Sequence, residues 1–127
     1  NDVSERAFQA EGTGQWTKGK SCDTFGPLGP WLVTKDEVAN FGDLHMWLDV
    51  NGQRMQDGNS SNMIFNVAQI ISYLSQMFTL HPGDVISTGT PAGVGLGMSP
   101  QVFLRPGDTV TMGIDKLGEQ RSTIVQG

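Results

Sequence analysis

A two-residue turn at Asn51 and Gly52 constrains the fold of this chain more than any other local feature. Before the turn, apolar residues occupy every second position: Leu44, Met46, Leu48 and Val50. A period of two places these side chains on one face of a strand, and Asn-Gly is the favoured pair for a type I′ turn. The stretch DLHMWLDVNGQRMQDG therefore predicts a β-hairpin.

One segment, NVAQIISYLSQMF, carries a helical pattern of useful length. Its apolar residues recur at every third or fourth position, which is the spacing of one face of a helix. Asn66 and Gln69 have the spacing of a capping box, with Asn in place of the usual Ser or Thr. The sequence predicts one main amphipathic helix over about residues 66–78.

The remaining segments are short and rich in turns. Residues 3–10 predict one or two helical turns, and residues 12–30 a long loop. The stretches PWLV, DVIST and DTVTMGID predict strands, and KLGEQRSTIVQ predicts a second hairpin. Pro-Gly-Asp occurs twice, as a type II turn would favour. One helix among about seven short strands predicts a β-rich α+β fold in one domain, with Trp31, Trp47 and Tyr73 in its core.

Composition excludes several classes of partner. The 127 residues make about one domain, and the net charge of -5 argues against nucleic acid or an anionic membrane as a partner. No apolar run approaches the roughly 20 residues of a membrane span. The single cysteine, Cys22, excludes an internal disulfide and is typical of a reducing compartment, so a cytoplasmic location is expected.

Polar residues at the start of the chain form a possible binding stripe. Asp2, Arg6 and Gln9 fall on one face if this segment is helical. Asp2 could ligate a metal, or it could cap the helix, because Glu5 lies at capping-box spacing; spacing alone favours the cap, and the two roles are compatible. Arg6 and Gln9 could orient an anionic or carbonyl-bearing ligand, or could form a solvated face.

Two further candidates lie in glycine-rich loops. Lys20 could bind a carboxylate or stabilise an enolate, but Lys18 has the same surroundings and spacing does not separate the two. Thr90, in STGTPAGVGLG, could offer a hydroxyl to an oxyanion, or could belong to an ordinary turn.

His45 and His81 have no acid or nucleophile near them in the sequence, so both are interpreted as structural.

Taken together, five stretches resemble the C-terminal half of the fumarylacetoacetate hydrolase superfamily. They are, in order, NDVSERAFQ, KGKSCDTFGPLGPWLV, LDVNGQRMQDGNSSNMIF, IISYLSQMFTLHPGDVISTGTPAGVG and PGDTVTMGIDKLGEQR. The resemblance implies a mixed β-roll around a divalent metal, usually Mg²⁺, with Mn²⁺ or Ca²⁺ as alternatives. LGEQR and GPWLVTKDEV resemble the branch named ureidoglycolate lyase or 2,4-diketo-3-deoxy-sugar-acid hydrolase.

The resemblance also implies roles for individual residues. Asp2 matches a metal ligand, with Thr24 near the metal in some members, and Arg6 and Gln9 match residues that face the metal and the substrate. Lys20, and not Lys18, matches the lysine that stabilises the enolate. Thr90 matches the hydroxyl residue that contacts the substrate carbonyl.

The sequence departs from the family pattern in its acidic residues. The Glu-x-Glu pair that supplies the other metal ligands and the His-Glu pair that activates water are both absent. One carboxylate does not fill the six-coordinate shell of Mg²⁺. Residues 1–127 are therefore expected to be the C-terminal portion of a single, longer catalytic domain.

The activity implied by the resemblance is metal-dependent hydrolysis of a C–C bond. The substrate would be a 2,4-diketo acid of the acylpyruvate type, derived from a sugar acid, and the product would be pyruvate. The alternatives are an isomerase, decarboxylase, hydratase or lyase that acts on related 2-keto or 2-hydroxy-dienoate acids, and an inactive module that lacks the full metal site. A homodimer is expected, with the apolar stretch MIF as one possible contact.

Overall fold

The computed structural model describes all 127 residues and contains one antiparallel sheet. Its strands are β1 (His45–Val50), β2 (Gln53–Asn59), β3 (Thr109–Ile114) and β4 (Gly118–Thr123), in the order β2-β1-β3-β4. Two α-helices are present, α1 (Arg6–Ala10) and α2 (Val67–Leu74). This is the predicted β-rich α+β class with one main helix. None of the helices has the length and apolar character that a membrane crossing requires.

The predicted hairpin around the Asn-Gly turn is confirmed as β1 and β2. Asn51 and Gly52 both have positive φ, at 52° and 81°, as a type I′ turn requires. The register shifts once, between Leu48 and Asp49, where β2 contains an additional residue, Met55. Such a bulge bends a strand locally and leaves one residue outside the regular ladder.

The two faces of the sheet differ in character. The alternating apolar residues share one face, and each residue on β1 (Met46, Leu48, Val50) pairs directly with one on β3 (Ile114, Met112, Val110). On the other face, the Trp47 ring lies over Gly113, and Arg54 stacks on Trp47 at 4.8 Å. Within this face Arg54 also pairs with Asp49.

Helix α2 begins where the sequence predicts and ends earlier. Asn66 accepts from the Gln69 backbone N–H and the Gln69 side chain accepts from the Asn66 N–H, both at 2.9 Å, so the capping box is confirmed. The predicted end at residue 78 is wrong, because the helix ends at Leu74. Residues 75–78 continue as turns, in which the Met77 N–H donates to the Leu74 carbonyl. Tightening to three-residue spacing is a usual way to end a helix.

Two of the predicted strands do not form. PWLV is irregular and leads into a 3-10 helix at Lys35–Glu37, and DVIST is irregular throughout. Neither segment pairs with a strand of the sheet, and a strand needs such a ladder partner. The sheet has four strands, fewer than the seven predicted.

Very little of the chain is buried. Only six residues lie in the interior, and the accessible surface is 9,365 Å². A compact monomer of 13.7 kDa exposes about 6,600 Å². The prediction that Trp31 and Tyr73 are core residues is wrong, since both side chains are mostly exposed. The excess is large enough to be a face that another body of protein covers.

Candidate active site

A close contact between α1 and the 3-10 helix Trp16–Lys20 forms the framework of the site. The Glu5 N–H donates to the Gly19 carbonyl at 2.9 Å. Gly19 is buried, and a Cβ atom there would lie 2.6 Å from both the Gln9 Cβ and the Glu5 carbonyl oxygen. Only a residue without a side chain allows this approach. Lys20 follows directly and is thereby brought to the start of the chain.

Lys20 and Asp2 form an ion pair. The Lys20 Nζ lies 2.9 Å from the Asp2 Oδ2, and it is within 3.5 Å of the Asp2 carbonyl oxygen. The capping interpretation of Asp2 is wrong, because Glu5 is the N-cap of α1 and accepts from the Ala7 N–H at 2.9 Å. Lys18 is exposed and makes no ion pair. The structure thus separates the two lysines that sequence spacing alone could not.

Arg6 and Gln9 lie one turn apart on α1 and contact each other. The Arg6 Nη1 donates to the Gln9 Oε1 at 2.5 Å. Gln9 is only 2% exposed, yet its Nε2 has no hydrogen-bond partner. A buried N–H without an acceptor is costly, by about 1–3 kcal/mol. The amide therefore suits a ligand or water oxygen that completes its bonding.

The loop that carries Thr24 is held at its far end. Thr24 has a φ of 66°, which is an outlier for a β-branched residue. The Gln120 Nε2 of β4 donates to the Gly29 carbonyl at 2.6 Å, and the Asn1 nitrogen donates to the Pro27 carbonyl at 2.9 Å. Strained backbone is a feature of binding sites, but no hydrogen bond joins Thr24 to Asp2 or Lys20.

Thr90 is held against the sheet rather than against α1. The Gln56 Nε2 of β2 donates to the Thr90 Oγ1 at 2.7 Å and to the Pro91 carbonyl at 2.8 Å. A Cβ on Gly93 would lie 1.9 Å from the Met55 carbonyl oxygen, so the loop fits closely over the bulge of β2. No hydrogen bond or ion pair joins Thr90 to the Asp2–Lys20 pair.

The residues of this chain do not by themselves make a complete metal site. No group of three or more His, Cys, Asp or Glu side chains converges anywhere in the structure. Asp2 is the one carboxylate beside Lys20, and a single carboxylate is too few for a hard divalent cation. An ion held by the Asp2 carboxylate would need further ligands that the described residues do not place beside it.

Sequence reasoning missed several contacts near these candidates. His45 does have an acidic neighbour, because its Nε2 lies 2.7 Å from the Asp57 Oδ1 across the hairpin. The Asn-Gly turn alone would place Asp57 opposite Met46, on the other face from His45. The bulge at Met55 shifts the register by one residue and brings His45 and Asp57 to one face, and the sequence did not predict this bulge. No motif or spacing in the sequence points to Gly19 or Gln56, since each acts through residues far from it in the chain.

Comparison with known proteins identifies the family. A family model described as the fumarylacetoacetate hydrolase C-terminal region matches residues 1–125. The chain belongs to the fumarylacetoacetate hydrolase family. The resemblance stated from the sequence is thereby confirmed, and the fold agrees with that of solved members of this family.

Relatives of this fumarylacetoacetate hydrolase family chain are similar over nearly its whole length. A Burkholderia ambifaria protein that carries the name "Putative hydrolase" is 61% identical over 94% of the chain, which corresponds to 43% of that protein. A fumarylacetoacetate hydrolase from Exiguobacterium antarcticum matches with a TM-score of 0.94 and 41% identity, over 98% of this chain and 44% of that one. The chain thus spans less than half the length of these relatives.

Solved members with other titles are also similar. A 2-hydroxyhepta-2,4-diene-1,7-dioate isomerase from Mycobacterium marinum matches with a TM-score of 0.86 and 42% identity, over 98% of this chain and 45% of that one. A maleylpyruvate hydrolase from Sphingobium sp. SYK-6, in complex with manganese(II) and pyruvate, matches with a TM-score of 0.80 and 37% identity, over 91% and 40%. The family is enzymatic, includes hydrolases and isomerases, and has a member with a bound divalent metal.

Proposed function

We propose that residues 1–127 are the C-terminal portion of a longer catalytic domain that hydrolyses a C–C bond in a 2,4-diketo acid. The substrate class is an acylpyruvate derived from a sugar acid, and one product is pyruvate. The observation that carries the proposal is the Lys20 ammonium beside the Asp2 carboxylate, 2.9 Å apart. Arg6 and Gln9 add a guanidinium and an unpaired amide N–H on α1.

The proposed reaction consumes one water molecule and breaks the C3–C4 bond. Water adds its oxygen to the C4 carbonyl carbon and gives up one proton. The C3–C4 bond then breaks, and its electron pair passes into the enolate of pyruvate. Protonation of that enolate at C3 gives pyruvate, and the C4 fragment leaves as a carboxylic acid. Water addition and C–C cleavage each place negative charge on oxygen, so fixed cations and N–H donors are the groups that accelerate these two stages.

The cations of this chain suit the pyruvate end of the substrate. The Lys20 ammonium would stabilise the developing enolate through its charge. Arg6 would bind the carboxylate, because a guanidinium presents parallel donors that match two carboxylate oxygens, and Gln9 would give its free N–H to a keto oxygen. Thr90 would donate to the oxygen on C4.

The proposed cofactor is a divalent cation, Mg²⁺ in the first instance, with Mn²⁺ or Ca²⁺ as alternatives. Asp2 would be one of its ligands, and carboxylates from the remainder of the domain would be the others, with Thr24 near the ion. When bound, the ion supplies Lewis-acid chemistry at the keto acid oxygens. Support comes from the manganese complex of the maleylpyruvate hydrolase.

A test of the hydrolase uses the full-length protein and a matched pair of lysine variants. Wild-type protein with Mg²⁺ is expected to release pyruvate from an acylpyruvate, as followed by a coupled lactate dehydrogenase assay. Lys20→Met should lower kcat about 100-fold or more, as the loss of a transition-state charge contact does, whereas Lys18→Met should not change it. Absence of pyruvate release by the wild-type protein would overturn the proposal.

The second candidate is an isomerase of the same family, and the same assay separates it. The Mycobacterium marinum neighbour is named as an isomerase of a dienoate diacid, and an enolate held by Lys20 also serves the movement of a double bond. Decarboxylase, hydratase and lyase reactions of related 2-keto acids also pass through an enolate. A change in ultraviolet absorbance of a 2-hydroxy-dienoate without pyruvate release would favour the isomerase.

The isolated chain provides a test of the incomplete metal site. Because Asp2 is the one carboxylate near Lys20, residues 1–127 alone are expected to bind Mg²⁺ only weakly and to be inactive. Isothermal titration calorimetry of this chain against the full-length protein measures the difference. Micromolar binding by the isolated chain would contradict the need for outside ligands.

The proposed partners are the keto acid and a second copy of the protein. The predicted contact at Met63–Phe65 is supported by strong exposure of its apolar residues, with Ile64 90% and Phe65 63% exposed. A homodimer and a cytoplasmic location stay predictions. Sedimentation of the full-length protein measures the first.

A further inference from the structure

The amide of Gln56 makes two hydrogen bonds from one nitrogen to the loop that carries Thr90. Its Nε2 lies 2.7 Å from the Thr90 Oγ1 and 2.8 Å from the Pro91 carbonyl oxygen. An amide NH₂ has two protons, one for each of these acceptors. A single amide group on β2 therefore donates to both acceptors in the loop.

The chemistry of the Pro91 carbonyl fixes the orientation of this amide. A carbonyl oxygen accepts hydrogen bonds and does not donate them. The Gln56 group that faces it must therefore be the NH₂ and not the amide oxygen. It follows that the Thr90 Oγ1, which shares this NH₂, is an acceptor in the contact.

The Thr90 hydroxyl proton is left free by this arrangement. A hydroxyl has one proton and can accept and donate at once, and no other hydrogen bond of the Thr90 side chain is present in the structure. Thr90 is also exposed. We infer that Gln56 is a positioning residue that makes Thr90 a hydrogen-bond donor toward a substrate oxygen. The inference rests on the proposed contact of Thr90 with the substrate carbonyl.

Close packing gives the contact the rigidity that positioning requires. Gln56 pairs with Leu48 inside the β1–β2 ladder. The Pro91 side chain packs against Gly58, where a Cβ would lie 2.6 Å from the Pro91 Cβ. Gly93 lies against the Met55 carbonyl in the same way. A site group supported by a strand keeps its geometry better than one supported by a loop alone.

The variant Gln56→Glu tests this role in the full-length enzyme. An ionised carboxylate only accepts, so it is repelled by the Pro91 carbonyl and takes the Thr90 proton away from the substrate. We expect kcat to fall about 10- to 100-fold with little change in KM, because the lost contact is made chiefly in the transition state. Gln53→Glu, an exposed position on the same strand, is the matched control and should keep wild-type kcat.

A double-mutant cycle with Thr90→Val shows whether Gln56 acts through Thr90. In the Thr90→Val background, Gln56→Glu is expected to cause no further loss of kcat, because residues in one network are not additive. If Gln56→Glu does not fold, as judged by its melting temperature, Gln56→Met replaces it in the same cycle, since it removes both donors without adding charge.

The outcomes separate this inference from the proposed function. Pyruvate release by the wild type, with additive losses in the cycle or with an unchanged kcat in Gln56→Glu, would overturn the role of Gln56 alone. A wild type without turnover of the keto acid would overturn the proposed function and this role together. Non-additive losses confined to kcat support the inference.

Discussion

At the scale of single residues, Gly19 determines how closely Lys20 approaches Asp2. Its Cβ-free backbone lets the 3-10 helix lie directly on α1. A methyl group at Gly19 would clash with the Glu5 carbonyl oxygen and with the Cβ of Gln9. Neither atom can move far without moving α1. This close packing affects the geometry of the site, because Lys20 is the next residue.

Gly19→Ala is therefore expected to damage both stability and activity. Overpacking of this kind costs about 1–3 kcal/mol of folding free energy, and it separates Lys20 from Asp2. Urea unfolding measures the first effect and the keto acid assay the second. The control is Gly97→Ala, where the new Cβ would make only an ordinary 3.8 Å contact with Val94. Equal behaviour of the two variants would contradict the role of Gly19.

Sequence reasoning reached the charged residues of the site and missed those that position them. Asp2, Arg6, Gln9 and Lys20 were assigned through a family resemblance, and the ion pair of Asp2 with Lys20 agrees with that assignment without testing its role. Gly19 and Gln56 act by close packing and by a bond to a loop 34 positions away. Neither effect has a local signature, because it depends on which segments meet.

At the scale of elements, the turn of the β1–β2 hairpin is tied to the start of β3. The Asn51 Nδ2 donates to the Asp108 Oδ1 at 2.8 Å, and the Thr109 N–H donates to the Asn51 Oδ1 at 2.9 Å. The Arg105 N–H completes the environment of Asp108 by donating to its Oδ2 at 2.7 Å. The Asn-Gly pair thus joins two hairpins in addition to closing one.

This junction predicts a pH dependence of stability. The hydrogen bond from the Asn51 side chain, and then that from the Arg105 backbone, lower the pKa of Asp108 below its ordinary value. A carboxyl group whose pKa is lower in the folded state than in the unfolded state stabilises the fold. This stabilisation is fully present above the unfolded pKa of about 3.9, and it is lost as the pH falls through the folded pKa. Thermal melts from pH 5 to pH 2 should show a smaller loss for Asp108→Asn than for the wild type.

Asn51→Gly provides the matched control for this junction. Glycine keeps the positive φ of the turn and removes both side-chain hydrogen bonds of Asn51. The acid-dependent loss of stability should therefore be reduced, although Asp108 is still present. A pH profile identical to that of the wild type in both variants would show that Asp108 is not the group responsible.

Helix α2 is stabilised at its start by its N-cap residue, Asn66. The Asn66→Ala variant loses the side-chain bond of the capping box, in which the Asn66 Oδ1 accepts from the Gln69 N–H. It is expected to lower the free energy of unfolding by about 1 kcal/mol. Asn66→Asp keeps an acceptor at the N-cap and should stay near the wild-type value. Urea unfolding with circular dichroism detection measures both, and an Ala variant as stable as the Asp variant would contradict the prediction.

Elements defined by neighbouring residues were predicted well, and those defined by distant ones were not. The Asn-Gly hairpin and the start of α2 follow from turn and cap chemistry within a few positions. The stretches PWLV and DVIST have strand-like composition, yet neither pairs with a strand of the sheet. A strand-like composition shows only that a segment is able to form a strand. The strand forms only when a neighbouring strand pairs with it.

At the scale of the whole molecule, the exposed apolar surface is the dominant property. The accessible area exceeds that of a compact monomer of equal mass by about 2,800 Å². Apolar side chains on α2 and in the unpaired segments contribute to it, including Tyr73, Met77 and Val85. The similar proteins are more than twice as long as this chain, so the remainder of such a protein is a sufficient cover.

The isolated chain is therefore expected to behave differently from the full-length protein. It should bind 8-anilinonaphthalene-1-sulfonate strongly and associate with rising concentration, because large apolar patches drive association. Dye fluorescence and analytical ultracentrifugation compare the two proteins directly. A monomeric isolated chain with no enhancement of dye fluorescence would contradict the assignment of this face as covered.

The close fit of the loop at residues 89–95 over β2 has a consequence for protein engineering. Gly93 has a φ of 109° and lies so near the Met55 carbonyl that no other amino acid fits there. In a mutant library that randomised this loop, most variants would carry a side chain at position 93. Their loop could not pack against β2. New substrate preferences should instead be sought at positions whose side chains point away from the sheet, and Ala92, which is exposed, is the place to begin.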